Sequence, residues 1–174
     1  MNKSLEMLSS VDPDTDEVLA VVESPRGSRN KYDYDPKFRA FRLASVLPQG
    51  MVFPFDFGFI PSTKAADGDP LDIMILMDEA APAGCIIPVR IIGAIEAEQR
   101  KKGEDWIRND RLLGVSVHAH AHARVEALSD LNPDLIAQLE AFFAQYNRLK
   151  NVEFRVIDRV GPKKAHKLLA EAKN

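Results

Sequence analysis

Three aspartates fall within six residues of this chain, in the segment Asp67-Gly68-Asp69-Pro70-Leu71-Asp72. Carboxylate oxygens are the ligands that Mg²⁺ and Mn²⁺ prefer, and three acids held this close together repel one another unless a cation lies between them. Gly68 permits a tight turn, and Pro70 holds the residue before it extended. The segment therefore indicates a divalent-cation site, although Asp, Gly and Pro also build ordinary loops.

A second group of charged residues precedes this segment, around a predicted hairpin: Glu23, Arg26, Arg29, Lys31, Asp33 and Arg42. Phosphoryl transfer needs cations to hold the negative charge of the phosphate oxygens and acids to hold metal ions. Cations beside carboxylates are also common as surface ion pairs of little energetic worth. Together with the aspartate segment, however, this group favours a site for a phosphate compound.

Hydrophobic periodicity predicts the strands that must position these residues. Alternation indicates a hairpin formed by Tyr32 to Asp35 and Phe38 to Val46. Phenylalanines recur at every second position from Phe53 to Phe59, so a strand would place all four on one face. Further strands are predicted at Leu71 to Met77, Ile86 to Glu96, Leu112 to His118 and Val152 to Ile157.

The period becomes helical in the last third of the chain. Asn132 as N-cap and Pro133 in the first turn open a predicted helix. Its apolar face is Leu135, Ile136, Leu139, Phe142, Phe143, Tyr146 and Leu149. A final amphipathic helix is predicted through Ala165 to Ala172. Many short strands with helices gathered late predict an α+β fold around a barrel or a strongly bent sheet.

Composition narrows the class of protein. The 174 residues are 45% hydrophobic and 28% charged, which fits a single domain over residues 1–174, with residues 1–15 expected to be mobile. A formal charge of -3 without a long basic run argues against non-specific nucleic-acid binding and against an anionic membrane surface. The single Cys85 excludes an internal disulfide, and no signal peptide or membrane-spanning run is evident. We therefore expect a cytoplasmic protein.

The order and spacing of these motifs closely resemble soluble family I inorganic pyrophosphatases, from about Val21 to near the C-terminus. The residues that carry the resemblance are Glu23, Gly27-Ser28, Lys31-Tyr32-Asp33, Arg42, the block from Phe53 to Ile60 and the segment from Asp67 to Asp72. The resemblance implies a five-stranded OB-like β-barrel with C-terminal flanking helices. It also implies Mg²⁺-dependent hydrolysis of pyrophosphate to two phosphates, with Mn²⁺ as a substitute, by a homo-oligomer that is often a hexamer.

The resemblance further implies a role for individual residues. Asp69 is the catalytic residue, which helps to deprotonate a water held between metals. The expected substrate-binding residues are Lys31, Arg42, Arg111 and Tyr146. The expected metal residues are Asp67 and Asp72 as ligands, Glu23 in the outer sphere, and Glu104 and Asp110 in a second acidic cluster.

Several positions depart from the family pattern. Phe53 and Phe57 stand where tyrosines are usual, Asp33 where a glutamate is usual, Arg111 where a lysine is usual, and Asn147 where a lysine normally follows the helix tyrosine. In the second acidic cluster Asn109 occupies the place of an expected metal-binding aspartate, and Glu104 falls near the place of another. Asp110 could act as a metal ligand instead only if the strand register slips by one residue, which would turn its side chain to the other face. We therefore expect a weaker or differently tuned pyrophosphatase.

Other functions compete with this interpretation. A pyrophosphatase fold that acts on another phosphoanhydride, or that binds phosphate without turnover, fits the same residues. The alternating His118, His120 and His122 would share one face of a strand and could chelate Zn²⁺, Ni²⁺ or Cu²⁺. The phenylalanine stripe and an OB-like fold also allow single-stranded nucleic-acid binding by stacking, although the stripe leads directly into three aspartates.

Overall fold

The computed structural model describes residues 4–173. This part of the chain forms nine strands and two α-helices, together with two short 3₁₀ turns. In chain order these are β1 (Val18–Ser24), β2 (Asn30–Asp35), β3 (Ala40–Val46), β4 (Asp56–Ile60), β5 (Leu71–Leu76), β6 (Ile86–Lys101), β7 (Ile107–Arg108), β8 (Arg111–Ser116), α1 (Pro133–Leu149), β9 (Val152–Val160) and α2 (Pro162–Ala172).

Five strands close into a ring in the order β1, β4, β5, β8 and β6, because β6 pairs back onto β1. All neighbours in the ring are antiparallel except β5 and β8, which are parallel. The long β6 extends beyond the ring and pairs there with β7 and β9. The α+β prediction and its ring of five strands with C-terminal helices are thus confirmed.

The ring strands are apolar on both faces because each face belongs to a buried cluster that one of the helices joins. Along β5, Ile73 and Ile75 belong to one buried cluster, whereas Met74 and Leu76 belong to another, as the alternation of side chains in a strand requires. The first cluster includes Ala165 and Leu169 of α2, and the second includes Ile136, Leu139, Phe143 and Tyr146 of α1. Each of the two predicted helices therefore completes one of the two apolar clusters of the ring strands.

The predicted start of α1 and the predicted hairpin are both present in the structure. The Asn132 side chain accepts a hydrogen bond from the N–H of Asp134 at 2.9 Å, and Pro133 follows as the first helical residue, so the predicted N-cap is confirmed. The predicted hairpin is formed by β2 and β3, which make a separate two-stranded sheet. Both faces of β3 are largely exposed, whereas Tyr34 of β2 packs with Val21 and Phe59 in a small buried cluster, so the hairpin is attached to the ring through β2.

The N-terminal segment lies against the body of the protein. Ser62 donates from its N–H to Glu6 O at 2.7 Å and from its hydroxyl to Leu8 O at 2.7 Å. The N–H of Leu5 donates to the Tyr34 hydroxyl at 3.2 Å. Residues 4–8, part of the segment expected to be mobile, are thus hydrogen-bonded at several points, while residues 1–3 lie outside the described residues. Neither α-helix of the described chain is long and apolar enough to cross a membrane.

Candidate active site

One cavity of about 400 Å³ brings most of the predicted site residues together. Its lining contains six carboxylates and three cations. The carboxylates are Glu6, Glu23, Asp33, Asp67, Asp69 and Asp72, and the cations are Lys31, Arg111 and Lys150. The cavity lies where β1, β2, the loop before β5, β8 and the end of α1 approach one another.

The aspartate segment forms a tight turn that leads into β5. Gly68 has φ +95°, a conformation that side chains with a Cβ rarely adopt, and its N–H donates to Ala65 O at 3.0 Å. The N–H of Asp69 donates to Asp67 Oδ1 at 3.2 Å. Asp67 and Asp69 are exposed at the cavity, whereas Asp72 lies inside it as the second residue of β5. The predicted turn is confirmed, and its carboxylates enter the same space.

Burial changes the proton affinity of these acids. Burial raises the pKa of Asp72 to about 7, although the nearby Arg111 and Lys31 act in the opposite direction. Burial likewise raises the pKa of Glu23, and partial shielding of the Asp67 carboxyl from water, together with the charge of Asp69, raises the pKa of Asp67. An acid that is withdrawn from water in this way becomes more stable as an anion when a cation binds beside it.

Lys31 is held by a set of oxygen atoms at the base of the hairpin. Its Nζ lies 3.4 Å from Glu23 Oε2, 2.8 Å from Tyr32 O and in hydrogen-bond contact with Asp33. Burial alone would lower the pKa of Lys31, but Glu23 and Asp33 raise it above its ordinary value. Glu23 is also fixed, because it accepts a hydrogen bond from the N–H of Tyr34 at 2.9 Å. Lys31 therefore remains a cation inside the cavity.

Arg111 is almost fully buried yet incompletely hydrogen-bonded. Its guanidinium lies 4.3 Å from the ring centroid of Phe143 and 5.1 Å from that of Phe154, and Nη1 donates to Asn109 O at 2.9 Å. Within the described chain Nε has no hydrogen-bond partner, although it is inaccessible to solvent. A buried donor without a partner is costly, so an acceptor from a ligand would stabilise this arrangement.

Tyr146 reaches the cavity from α1. The residue is mostly buried, its ring stacks on Phe142, and its hydroxyl oxygen accepts a hydrogen bond from Lys150 Nζ at 2.5 Å. Asn147 also lines the cavity, but its amide nitrogen donates to Phe143 O at 2.9 Å, one helical turn back. Of the two neighbouring residues, the tyrosine is the better placed to donate to a ligand, because its phenol proton is not committed to Lys150.

The structure does not bring the expected second acidic cluster to this cavity. Asn109, not Asp110, faces it. The Asp110 carboxylate accepts hydrogen bonds from the N–H of Ala97 and from Arg108, and it lines a separate depression beside α2. Glu104 is exposed in the turn between β6 and β7, away from the cavity lining. Successive side chains of an extended chain point to opposite faces, so Asp110 points away from the cavity when Asn109 points into it, and no register slip has reversed this.

Arg42 also lies away from the cavity. Its Nη1 donates to Asp35 Oδ2 at 2.9 Å on the exposed hairpin, and its guanidinium stacks over Phe38. Two charged cavity residues were not predicted from the sequence: Glu6, which the N-terminal segment supplies, and Lys150, which follows α1. The only sequence signal for Lys150 was its position four residues after Tyr146, one helical turn along the same face.

The two alternative sites do not form in the described part of the chain. Phe53, Phe57 and Phe59 are only 2%, 6% and 3% exposed, so they are core residues and cannot stack on nucleic-acid bases. His118 and His120 are exposed in a turn, where the N–H of His120 donates to Asp78. Among residues 4–173, no three His, Cys, Asp or Glu side chains converge closely enough to hold a metal ion.

Comparison with known proteins decides the family. A family model described as inorganic pyrophosphatase matches residues 20–174. The chain belongs to the inorganic pyrophosphatase family. An inorganic pyrophosphatase from Nostoc sp. is 38% identical over 141 residues, which cover 81% of this chain and 79% of that protein. One from Methanosarcina acetivorans is 33% identical over 168 residues, which cover 97% of this chain and 96% of that protein.

Solved structures of this family share the fold. The crystal structure of inorganic pyrophosphatase from Thermus thermophilus has a TM-score of 0.84 at 32% identity, covering 94% of this chain and 92% of that one. An inorganic pyrophosphatase from Neisseria gonorrhoeae has a TM-score of 0.83 at 28% identity, covering 98% and 96%. The described cavity is therefore the place to test the divalent metal that inorganic pyrophosphatases generally use.

The residues present fit a hard divalent cation. Asp67, Asp69 and Asp72 offer carboxylate oxygens from one short turn, and Glu23 adds another from β1. Asp72 is the decisive residue, since burial has raised its pKa to about 7 and a cation would relieve that cost. These acids do not yet converge as ligands, so binding would draw them together.

Proposed function

We propose that this protein hydrolyses inorganic pyrophosphate to two phosphates with Mg²⁺ in the cavity described above, and that Mn²⁺ can replace it. The observation that carries the proposal is the pairing of an acidic turn with a buried, incompletely hydrogen-bonded arginine in one cavity. The acids suit a divalent cation, and the arginine suits the phosphate oxygens of an anion. A metal–diphosphate complex presents both charges at once.

The acidic residues of the cavity would have two different roles, metal binding and proton transfer. Asp67 and Asp72 would hold the metal, with Glu23 behind them, and the bound metal would supply positive charge and lower the pKa of water. Asp69 is exposed beside them and would take the proton from the attacking water as general base. Glu23 also orients Lys31, which links the metal side of the cavity to the phosphate side.

The cations and the phenol hold the substrate. Lys31 and Arg111 would bind phosphoryl oxygens and neutralise the charge that develops on the leaving phosphate, and the Tyr146 hydroxyl would donate to another oxygen. Arg111 needs no reorganisation for this role, because Phe143 and Phe154 already fix its plane. Arg42 would take part only if the hairpin released it from Asp35.

The altered positions favour a second candidate, action on a different phosphoanhydride. Phe57 lines the cavity without the hydroxyl of a tyrosine, and Asn109 lines it without a charge. Both changes reduce the fixed contacts available to a small, highly charged substrate. Tripolyphosphate or a nucleoside triphosphate would depend less on these contacts, because each carries additional phosphoryl groups.

Phosphate release distinguishes the candidates. The purified protein is incubated with pyrophosphate, tripolyphosphate or ATP, each with Mg²⁺ or with EDTA, and compared with Asp69→Asn. We expect Mg²⁺-dependent release that is fastest with pyrophosphate and about 10²-fold or more slower in the variant. Faster release from a longer phosphoanhydride would support the second candidate, and no release above the Asp69→Asn rate from any compound would contradict both.

We propose a cytoplasmic homo-oligomer, with a hexamer expected from the family resemblance. The exposed apolar residues Phe38, Leu43 and Val46 of the hairpin support self-association, because such surface is usually covered in the working state. Light scattering coupled to size-exclusion chromatography measures the mass directly, and a mass near 19.4 kDa would contradict the oligomer.

A further inference from the structure

Lys150 is a cavity cation that enters from the end of α1. The residue caps this helix, and its backbone N–H donates to Asn147 O at 2.9 Å. Its side chain turns back along the helix, so that Nζ donates to the Tyr146 hydroxyl oxygen at 2.5 Å and lies 4.2 Å from the centroid of that ring. The C-terminal end of a helix also favours a positive charge.

The three cavity cations differ in how far they are already committed. Lys31 is surrounded by Glu23, Asp33 and Tyr32 O, and Arg111 is buried between two rings. Lys150 is exposed, and within residues 4–173 no carboxylate pairs with it. It is therefore the cavity cation that can reorient toward a ligand at least cost.

The part of the cavity around Lys150 has the character of an anion site. All six lining carboxylates come from the N-terminal segment, β1, β2, the turn before β5 and the start of β5. The lining residues from β6, β8, β9, α1 and the loop before β8 are neutral or positive: Gln99, Asn109, Arg111, Tyr146, Asn147 and Val152. The buried Nε of Arg111, which lacks a partner in the described chain, independently indicates an acceptor here.

We propose that Lys150 is a substrate-binding residue that holds the phosphoryl group lying farther from the acidic turn, together with Arg111 and the Tyr146 hydroxyl. This inference rests on the proposed function, because it assigns one end of the same diphosphate. Lys150 donates to the phenol oxygen, which polarises the O–H and leaves its proton for a substrate oxygen. When substrate binds, the ammonium itself can turn from the phenol to the phosphate.

The position of Asn147 explains why Lys150 is needed. Asn147 lines the cavity beside Tyr146, but its amide nitrogen is used by Phe143 O and it carries no charge. Lys150 approaches the Tyr146 hydroxyl from one turn later in the helix. The chain thus supplies through the helix end a positive charge that position 147 does not provide.

Binding of a non-hydrolysable diphosphate tests this role independently of turnover. Affinity for methylenediphosphonate in the presence of Mg²⁺ is measured by calorimetry for the wild type, Lys150→Met, Lys150→Arg and Arg148→Met. Arg148 is an exposed cation near the same helix end that does not line the cavity, so it controls for net charge. We expect Lys150→Met to bind about tenfold more weakly, whereas Lys150→Arg and Arg148→Met stay within about twofold of the wild type.

The outcomes separate this inference from the proposed function. Equal weakening by Lys150→Met and Arg148→Met would assign the effect to general charge and overturn the inference, as would unchanged affinity in Lys150→Met. Melting temperatures of the four proteins are compared, and we expect them to agree, because Lys150 is exposed. Absence of pyrophosphate turnover by the wild type would contradict the proposed function, and the diphosphonate affinities would still decide the role of Lys150.

Discussion

Asp72 of β5 and Arg111 of β8 are register partners across the parallel pair of strands in the ring. Burial raises the pKa of the Asp72 carboxyl, and burial also lowers the pKa of the Arg111 guanidinium, while each partner opposes the shift of the other. Arg111 nevertheless directs its Nη1 to Asn109 O. The pair therefore places an acid that favours a cation beside a guanidinium that favours an anion.

Replacement of Arg111 by methionine tests the anion side. Met keeps apolar contact with Phe143 and Phe154 but removes the charge and the donors. We expect kcat/KM for pyrophosphate to fall about 10²-fold, because charge-assisted hydrogen bonds to the leaving phosphate are lost. Steady-state kinetics measure the change.

The matched control is Arg42→Gln. Arg42 is exposed and paired with Asp35, outside the cavity lining, so kcat/KM should change by less than about threefold. A larger loss in Arg42→Gln than in Arg111→Met would show that the hairpin, not β8, supplies the main phosphate contact.

The raised pKa of Asp72 predicts a pH dependence of stability in the metal-free protein. Its folded-state pKa of about 7 lies above the ordinary value of 3.8, so the folded chain binds more protons than the unfolded chain between these two values. The free energy of unfolding therefore falls as pH rises through this window. Asp72→Asn does not ionise and lacks this fall.

Thermal unfolding in EDTA measures this effect. We expect the melting temperature of Asp72→Asn to exceed that of the wild type by several degrees more at pH 8 than at pH 5. Mg²⁺ should raise the melting temperature of the wild type at pH 8 and that of the variant less. A difference between variant and wild type that does not change with pH would contradict the burial of Asp72.

Substitution of Asn109 by aspartate tests the altered acidic cluster. Asn109 is buried at the cavity, and a carboxylate there would add a charged metal ligand opposite the Asp67 to Asp72 turn. We expect Asn109→Asp to bind Mn²⁺ more tightly or in greater number, as measured by calorimetry or by electron paramagnetic resonance. Asp110→Asn serves as the comparison, since the Asp110 carboxylate is held by Arg108. Identical Mn²⁺ titrations of Asn109→Asp and the wild type would count against the placement of position 109 at the metal site.

Gly58 of β4 provides a stability test of the ring. A Cβ at this position would lie 1.8 Å from Val21 O on β1, so the two paired strands would have to separate. We expect Gly58→Ala to lower the free energy of unfolding by about 3 kcal/mol or more. Gly161→Ala is the control, because among residues 4–173 nothing beyond the immediate chain neighbours lies within 4 Å of its added Cβ. Urea unfolding that is equal for both variants would contradict the close approach of β1 and β4.

The family resemblance, which the order and spacing of the motifs carry, predicted much of the cavity. The cavity lining includes Lys31, Asp67, Asp69, Asp72 and Arg111, each of which lies on or beside a ring strand or at the hairpin base. The helix that carries Tyr146 was predicted from its cap and its apolar face, and both are confirmed.

The remaining residues depend on tertiary contacts that no local pattern encodes. Asn109 rather than Asp110 faces inward because β8 keeps its register with β5 and β6. Glu6 reaches the cavity because Ser62 and the Tyr34 hydroxyl hold the N-terminal segment. Arg42 lies outside it because it pairs with Asp35 on the exposed hairpin, a contact between side chains that no local sequence pattern specifies.

The initial rate of phosphate release from pyrophosphate tests the central claim most directly, when Asp72→Asn is compared with Glu104→Gln at one Mg²⁺ concentration. Asp72 lies in the cavity with Arg111, whereas Glu104 is exposed outside it. We expect Mg²⁺-dependent release by the wild type, nearly the same rate in Glu104→Gln, and a rate about 10²-fold lower in Asp72→Asn. Equal rates in Asp72→Asn and the wild type, or loss only in Glu104→Gln, would contradict the central claim.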